Sequence, residues 1–233
     1  MSIAEQAYEQ GIRNATIGFS TGKDSVVGLD MLIKAGIKPY PIFFYQVPNL
    51  EFIENNLKMY EDYFKVKIAR MPHPILYDHF RHQDWQPYQE TITIGQFNFP
   101  KLTFEYVNKV WLRNNNITDV EYDCNCMKMA DSLNRRLILS KKPDIDNDKK
   151  IIYLTKYFTK TEIFEYIKKN NIPLTKDYEI FGISWDGLSY HFSCGVKKYY
   201  PKDYEKIKEY FPLIDAEILR YKLFNKYKNG ANS

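Results

Sequence analysis

The chain predicts an α/β protein: a doubly wound, mostly parallel sheet of five strands, followed by a mainly helical C-terminal extension. Two observations carry this reading. Short apolar runs at 16–19, 40–45, 66–71, 117–122 and 151–154 alternate with stretches whose apolar residues recur at helical spacing. The connections between them are short, so consecutive strands are joined by right-handed crossovers and lie parallel. In such sheets ligands bind beyond the carboxyl ends of the strands.

Taken in order, residues 1–13 form a helix with Ala4, Ala7 and Tyr8 on one face. The first strand, 16–19, runs into the small polar loop Ser20-Thr21-Gly22-Lys23-Asp24-Ser25, and Val26, Val27, Leu29, Met31, Leu32 and Ile33 then mark a buried helix face. The second strand is apolar on both faces, as a central parallel strand should be, and Pro41 lies near its start, where a missing N–H matters least. A helix over 50–63 and a third strand over 66–71 follow. The stretch 71–101 is broken by Pro72, Pro74, Pro87 and Pro100 and is read as a loop or lid lining the substrate side. Its histidines, His73, His79 and His82, contain no i, i+4 pair, so their spacing only permits a metal. A helix over 102–113 ends at Asn114-Asn115-Asn116, and the fourth strand, 117–122, comes next. After the fifth strand, Thr159 or Thr161 caps a helix whose buried stripe is Ile163, Phe164, Tyr166 and Ile167. The domain expectation is a nucleotide-binding α/β unit over 1–182 and an extension over 183–233.

Composition excludes several classes. A hydrophobic content of 44% and a charged content of 27% are those of a globular protein long enough to bury a core. No apolar run approaches a membrane span and the N-terminus does not read as a signal peptide, so a cytoplasmic location is expected. The net charge of +4 is too small to argue for nucleic acid by itself. The basic residues do concentrate late, in Lys197, Lys198, Lys202, Lys206, Lys208, Arg220, Lys222, Lys226 and Lys228, and solvated helix faces account for most of them.

The Ser20–Ser25 loop is where chemistry is concentrated. A strand, tight loop and helix aim backbone N–H groups and the positive end of a helix dipole at one spot, which suits a phosphate chain. Lys23 adds a cation, Ser20 and Ser25 add hydroxyl donors, and Asp24 beside phosphate calls for a metal ion or a neighbouring donor to orient. The spacing is not that of a Walker loop or of the dinucleotide fingerprint. An ordinary helix start capped by Ser20 or Asp24 would leave Lys23 and Ser25 unexplained.

The pattern S-x-G-K-D-S closely resembles the signature loop of the PP-loop ATP pyrophosphatases, usually S-G-G-x-D-S, which grips the pyrophosphate leaving the α-phosphorus of ATP. Thr21 replaces the first glycine, so a positive φ there would strain it. A second stretch, from Asp123 to Arg136, resembles the segment after the fourth strand in the phosphoadenosine phosphosulfate (PAPS) reductase branch. On that resemblance Lys128 replaces an arginine, Asp131 and Ser132 match an acidic residue and a serine, and Arg135 matches the final arginine, all facing the nucleotide and the anionic end of the substrate. The segment from Thr155 through Ile172-Pro173, with Tyr178 and Gly182, is similar to a third family stretch, so the resemblance covers about 14–213 in patches. It implies an adenine nucleotide alpha hydrolase-like, Rossmann-like fold, ATP and Mg²⁺ as ligands, and Lys23, Asp24, Lys128 and Arg135 as catalytic residues.

The chain departs from true PAPS reductases in two ways. It lacks the cysteine of their E-C-G-x-H tail, and it keeps Lys23 and Asp24, which those reductases tend to lose. Both departures favour ATP, pyrophosphate release and an adenylylated intermediate. Cys124, Cys126 and Cys194 keep three readings: a relay that carries sulfur, an Fe–S or Zn site completed by His191, or small buried hydrophobes. The functional expectations are therefore an ATP-dependent adenylyl transferase acting on a small anion or a base, a sulfur transferase modifying nucleic acid, and a nucleotide-binding subunit without chemistry. A homo-oligomer or a partner subunit is compatible with each.

Overall fold

A computed structural model of the chain describes residues 1–184 and 187–230, with side chains to 224. Helix α1 (Ile3–Glu9) leads into β1 (Asn14–Gly18), α2 (Lys23–Lys34), β2 (Lys38–Tyr45), α3 (Glu51–Phe64) and β3 (Ala69–Pro72). Three helices follow, α4 (Pro74–His82), α5 (Tyr88–Ile94) and α6 (Phe104–Asn114), before β4 (Tyr122–Asn125). A 3-10 turn (Met129–Asp131), α7 (Leu133–Leu139), β5 (Ile145–Asp146), β6 (Ile151–Tyr153) and α8 (Lys160–Lys169) complete the sheet region. The rest is helical: α9 (Asp177–Phe181), α10 (Tyr190–Tyr199), α11 (Pro201–Tyr210) and α12 (Asp215–Gly230).

The strand order is β3-β2-β1-β4-β6-β5, and every pair is parallel except β5 with β6. The predicted parallel α/β sheet is present, with one addition. β5 is a two-residue antiparallel edge strand in a Lys- and Asp-rich segment, too short and polar to carry a hydrophobic period.

The fourth strand starts later than 117–122. Asn116 is left-handed at φ 55° and the Ile117 N–H bonds to the Leu112 carbonyl, so Ile117 closes α6 instead of opening a strand. The third strand is delayed the same way: Lys65 ends α3 at φ 56°, and the Ile68 N–H is taken by the Glu61 carboxylate at 2.8 Å. The stretch read as a loop or lid contains α4 and α5. Its prolines begin helices, with Pro74 in the first turn of α4 and Pro87 as the N-cap of α5.

Buried side chains from α1, β1, α2, α3 and β6 join others from α10, α11 and α12 in one continuous apolar core. Asp203 of α11 ties the two ends of the chain together, its carboxylate accepting the Glu51 and Phe52 N–H groups at the start of α3 at 2.7 and 3.0 Å. Tyr200 stacks on Phe52 beside it, with ring centroids 4.7 Å apart. Among the described residues no helix is long and apolar enough to cross a membrane.

Candidate functional site

Sequence neighbours β1 and β2 lie on one side, and the order then jumps from β1 to β4. The chain winds away from that junction in both directions, which makes it the switch point where ligands of open α/β sheets bind. A cleft of about 750 Å³ opens there, with walls that include Ser20, Asp24 and Ser25 after β1, Gln46 after β2, and Asn125 to Met127 after β4.

The Ser20–Ser25 loop is held by its own hydroxyls. The Ser20 N–H donates to Ser25 Oγ at 3.2 Å, the Gly22 N–H donates to Ser20 Oγ at 3.3 Å, and Ser25 Oγ–H donates to the Gly22 carbonyl at 2.9 Å. Neither Ser20 nor Asp24 caps α2. The N-cap is Gly22, which has no side chain to offer, so no cap of the helix's own closes its N-terminus. The Lys23 N–H donates to the Tyr178 hydroxyl at 2.6 Å. Thr21 takes the strained conformation its sequence position implied, φ 59°, with its side chain 0% exposed and its hydroxyl unpartnered.

A chain of charges leads away from the loop. Asp24 Oδ2 pairs with Lys23 Nζ at 3.1 Å and with Lys128 Nζ at 2.5 Å, and Lys128 also reaches Asp131 at 2.9 Å. Asp131 continues to Arg135 at 2.6 Å, one helical turn on. Lys128 is 1% exposed, so its ammonium is spent between two carboxylates, and Arg135 lines the cleft together with Asp24 and Asp131. Burial pushes the Asp131 carboxyl up, but its bonds to Lys128 and Arg135 outweigh this and hold it below the usual range.

Asp24 Oδ1 is buried and has no hydrogen-bond partner, which leaves one hard oxygen donor at the loop. Among the described residues no three His, Cys, Asp or Glu side chains gather as a metal cage. This donor set fits a Mg²⁺ ion brought largely by phosphates, with Asp24 as the protein ligand, because Mg²⁺ is usually held by one or two carboxylates plus substrate.

The cysteines divide. Cys124 lies within β4, beyond the 117–122 run read as that strand, and Cys126 follows it; both reach the cleft, whereas Cys194 sits in α10. Burial pushes the Cys124 thiol well up, and burial with the nearby Asp24 charge pushes Cys126 up to about 12. His191 Nε2 lies 3.3 Å from the Phe181 carbonyl. The histidines of the 71–101 stretch also have separate tasks: His73 Nδ1 accepts the Ile75 N–H at 3.0 Å, and His79 Nδ1 contacts Asp84 at 2.7 Å. Several late lysines are neutralised locally, Lys197 by Asp215 at 2.5 Å, Lys206 by Asp203 at 3.6 Å and Lys208 by Asp215 at 3.7 Å. Lys226 and Lys228 lie outside the described side chains.

Several cleft residues escaped sequence reasoning: Phe44 and Gln46 at the end of β2, Phe104, Glu105 and Asn108 on α6, and the role of Asp123 in β4. The available signal was Phe104 and Asn108 at i, i+4, which puts both on one helix face.

No protein-family profile and no curated protein matches the chain. Among solved structures, PAPS reductase from Candida auris, a phosphate complex, aligns over 80% of this chain and 88% of that one, at TM-score 0.50 and 12% identity. The chain shares the fold of that reductase. NH3-dependent NAD synthetase from Campylobacter jejuni subsp. jejuni NCTC 11168, in complex with nitrate, aligns over 94% of this chain and 89% of its own, at TM-score 0.47 and 11% identity. NMN synthetase from Francisella tularensis aligns over 90% and 88%, at TM-score 0.46 and 12% identity.

Proposed function

We propose that the chain is a PP-loop enzyme that binds ATP at Ser20–Ser25 and catalyses attack of an acceptor on the α-phosphorus, releasing pyrophosphate and leaving an adenylylated intermediate. The observation that carries this reading is the α2 N-terminus, without a cap of its own, flanked by the Lys23–Asp24–Lys128 ion-pair chain at the switch point of the sheet. Amides of the loop and the Lys23 ammonium bind the leaving pyrophosphate, where charge develops as the bond breaks. Asp24 would hold Mg²⁺, which supplies charge neutralisation on the phosphates when bound. Lys128, buried between Asp24 and Asp131, is a positioning residue: it fixes Asp24 and the turn that carries Arg135. Arg135, at the cleft wall, orients the acceptor or the α-phosphate.

The sulfur-transfer alternative needs a thiolate at neutral pH, and burial works against it by pushing both cleft thiols up. The experiment is to incubate the protein with ATP, Mg²⁺ and candidate acceptors and to assay pyrophosphate against phosphate. Pyrophosphate is expected, falling about a hundredfold in Lys23→Ala. Release of phosphate alone, or turnover indifferent to Lys23→Ala, would overturn the reading.

A further inference from the structure

Beneath the phosphate loop the cleft has a floor whose chemistry the nucleotide reading does not use. Asp123 of β4 faces α6, where Asn108 sits one turn after Phe104. Asn108 Nδ2 donates to Asp123 Oδ1 at 3.0 Å, and the Thr16 hydroxyl contacts the same oxygen. That bond also fixes the amide orientation, since the reverse would set two oxygens face to face. Two oxygens are left over: Asp123 Oδ2, which has no partner among the described residues, and Asn108 Oδ1, which is buried without a partner on a side chain only 9% exposed. Both are acceptors. Among the described residues no cation forms an ion pair with Asp123: Lys109, which acts on it only at a distance, is engaged by Glu105 at 2.6 Å, and Arg135 by Asp131. Beside them Phe44, His73 and Phe104 pack edge to face, with Phe104 4.9 Å from each of the others, and form an aromatic wall.

We propose that Asp123 and Asn108 are the recognition edge for the acceptor, and that they select a planar group bearing N–H donors, an amide, amidine or arylamine, over an anion. This deepens the ATP-dependent reading above and rests on it for the word acceptor. A buried acceptor oxygen left without a donor is unfavourable, so a ligand that supplies donors gains what an anion forfeits. An anion would in addition meet the Asp123 charge at close range. Burial raises the Asp123 carboxyl above its usual range, and a donor or cation arriving at Oδ2 draws it back towards carboxylate. The aromatic wall favours a flat ligand, which can stack or meet ring edges there.

The test uses three isosteric probes on the full chain: benzamidine with donors only, benzamide with a donor and an acceptor, and benzoate with acceptors only. Calorimetric titration should rank them in that order, with benzamidine at least about tenfold tighter than benzoate. Asp123→Asn and Asn108→Leu should each shrink that ratio about fivefold or more, with thermal unfolding of both variants confirming the fold. Benzoate binding as well as benzamidine, no benzamidine binding at millimolar concentration, or a ratio unmoved in both variants overturns the proposal. A nonhydrolysable ATP analogue is titrated in parallel. If Asp123→Asn weakens it as much as benzamidine, the pair reads the nucleotide base, and the acceptor assignment falls. If the analogue fails to bind wild type while the probe ranking holds, the ATP reading fails and the N–H recognition edge stands.

Discussion

Two single residues show how much the site depends on burial. Lys128 bridges Asp24 and Asp131 from a position sealed from water, so Lys128→Met leaves Asp24 with Lys23 and Asp131 with Arg135 as their remaining partners. It should destabilise the fold by about 1–3 kcal/mol, read by urea unfolding, because each carboxylate loses its sealed partner and keeps a more exposed one. His73 acts through its proton. Burial, with His79 nearby, lowers its pKa from 6.5 to about 4, and its Nδ1 must stay unprotonated to accept the Ile75 N–H at the start of α4. The unfolded chain therefore binds the extra proton between these values, and the stability His73 contributes is complete above pH 6.5 and lost as pH falls towards 4. Discounted for partial exposure to solvent, this amounts to roughly 1–2 kcal/mol. The unfolding midpoint of His73→Asn, which keeps a capping acceptor, should vary less across that window than the wild type. Thr21 was partly legible at this scale: a threonine in a glycine's place raised the question of a strained, left-handed φ, and the structure answers it at 59°. Asp123 and Asn108 were not, since their meaning lies in a hydrogen bond between a strand and a helix that no spacing encodes.

Elements were legible where a period was long and misread where a breaker had a second use. α2 follows its apolar stripe, whereas α8 buries Ile163 and Ile167, half-buries Tyr166 and leaves Phe164 exposed; Thr159 caps α8 in a box with Glu162. Pro74 and Pro87, read as interruptions, open α4 and α5, and α6 stops at the asparagines as read, but Ile117 bonds back to it and β4 begins only at Tyr122. The packing of α2 against the sheet turns on Gly28. A Cβ there would lie 2.4 Å from Cys126 Sγ and 3.3 Å from both Ile17 Cδ1 and Leu154 Cδ1. Cys126 thus fills the notch that a missing side chain leaves. Gly28→Ala should cost about 1–3 kcal/mol by overpacking. Adding Cys126→Ala should recover part of it, and a double-mutant cycle of unfolding free energies measures that coupling. Additive losses would disconnect the two positions.

At the scale of the whole molecule, the parallel sheet and its switch point could be read from the order of apolar runs, but the union of the chain's two ends could not. Asp203 caps α3 from about 150 residues away, and no local pattern marks an aspartate as a cap for a distant helix. Asp203 is 3% exposed, so Asp203→Ala leaves two N–H groups without their acceptor and should lower stability by about 1–3 kcal/mol in chemical denaturation. The same long reach brings Tyr178 to the phosphate loop, where its hydroxyl accepts the Lys23 N–H. On the proposed reading, a phosphate oxygen entering the cleft would compete for that very amide. The protein would then carry its own rival for the nucleotide, and each binding event would exchange one oxygen for another, with a distant tyrosine setting the starting point from which affinity is counted.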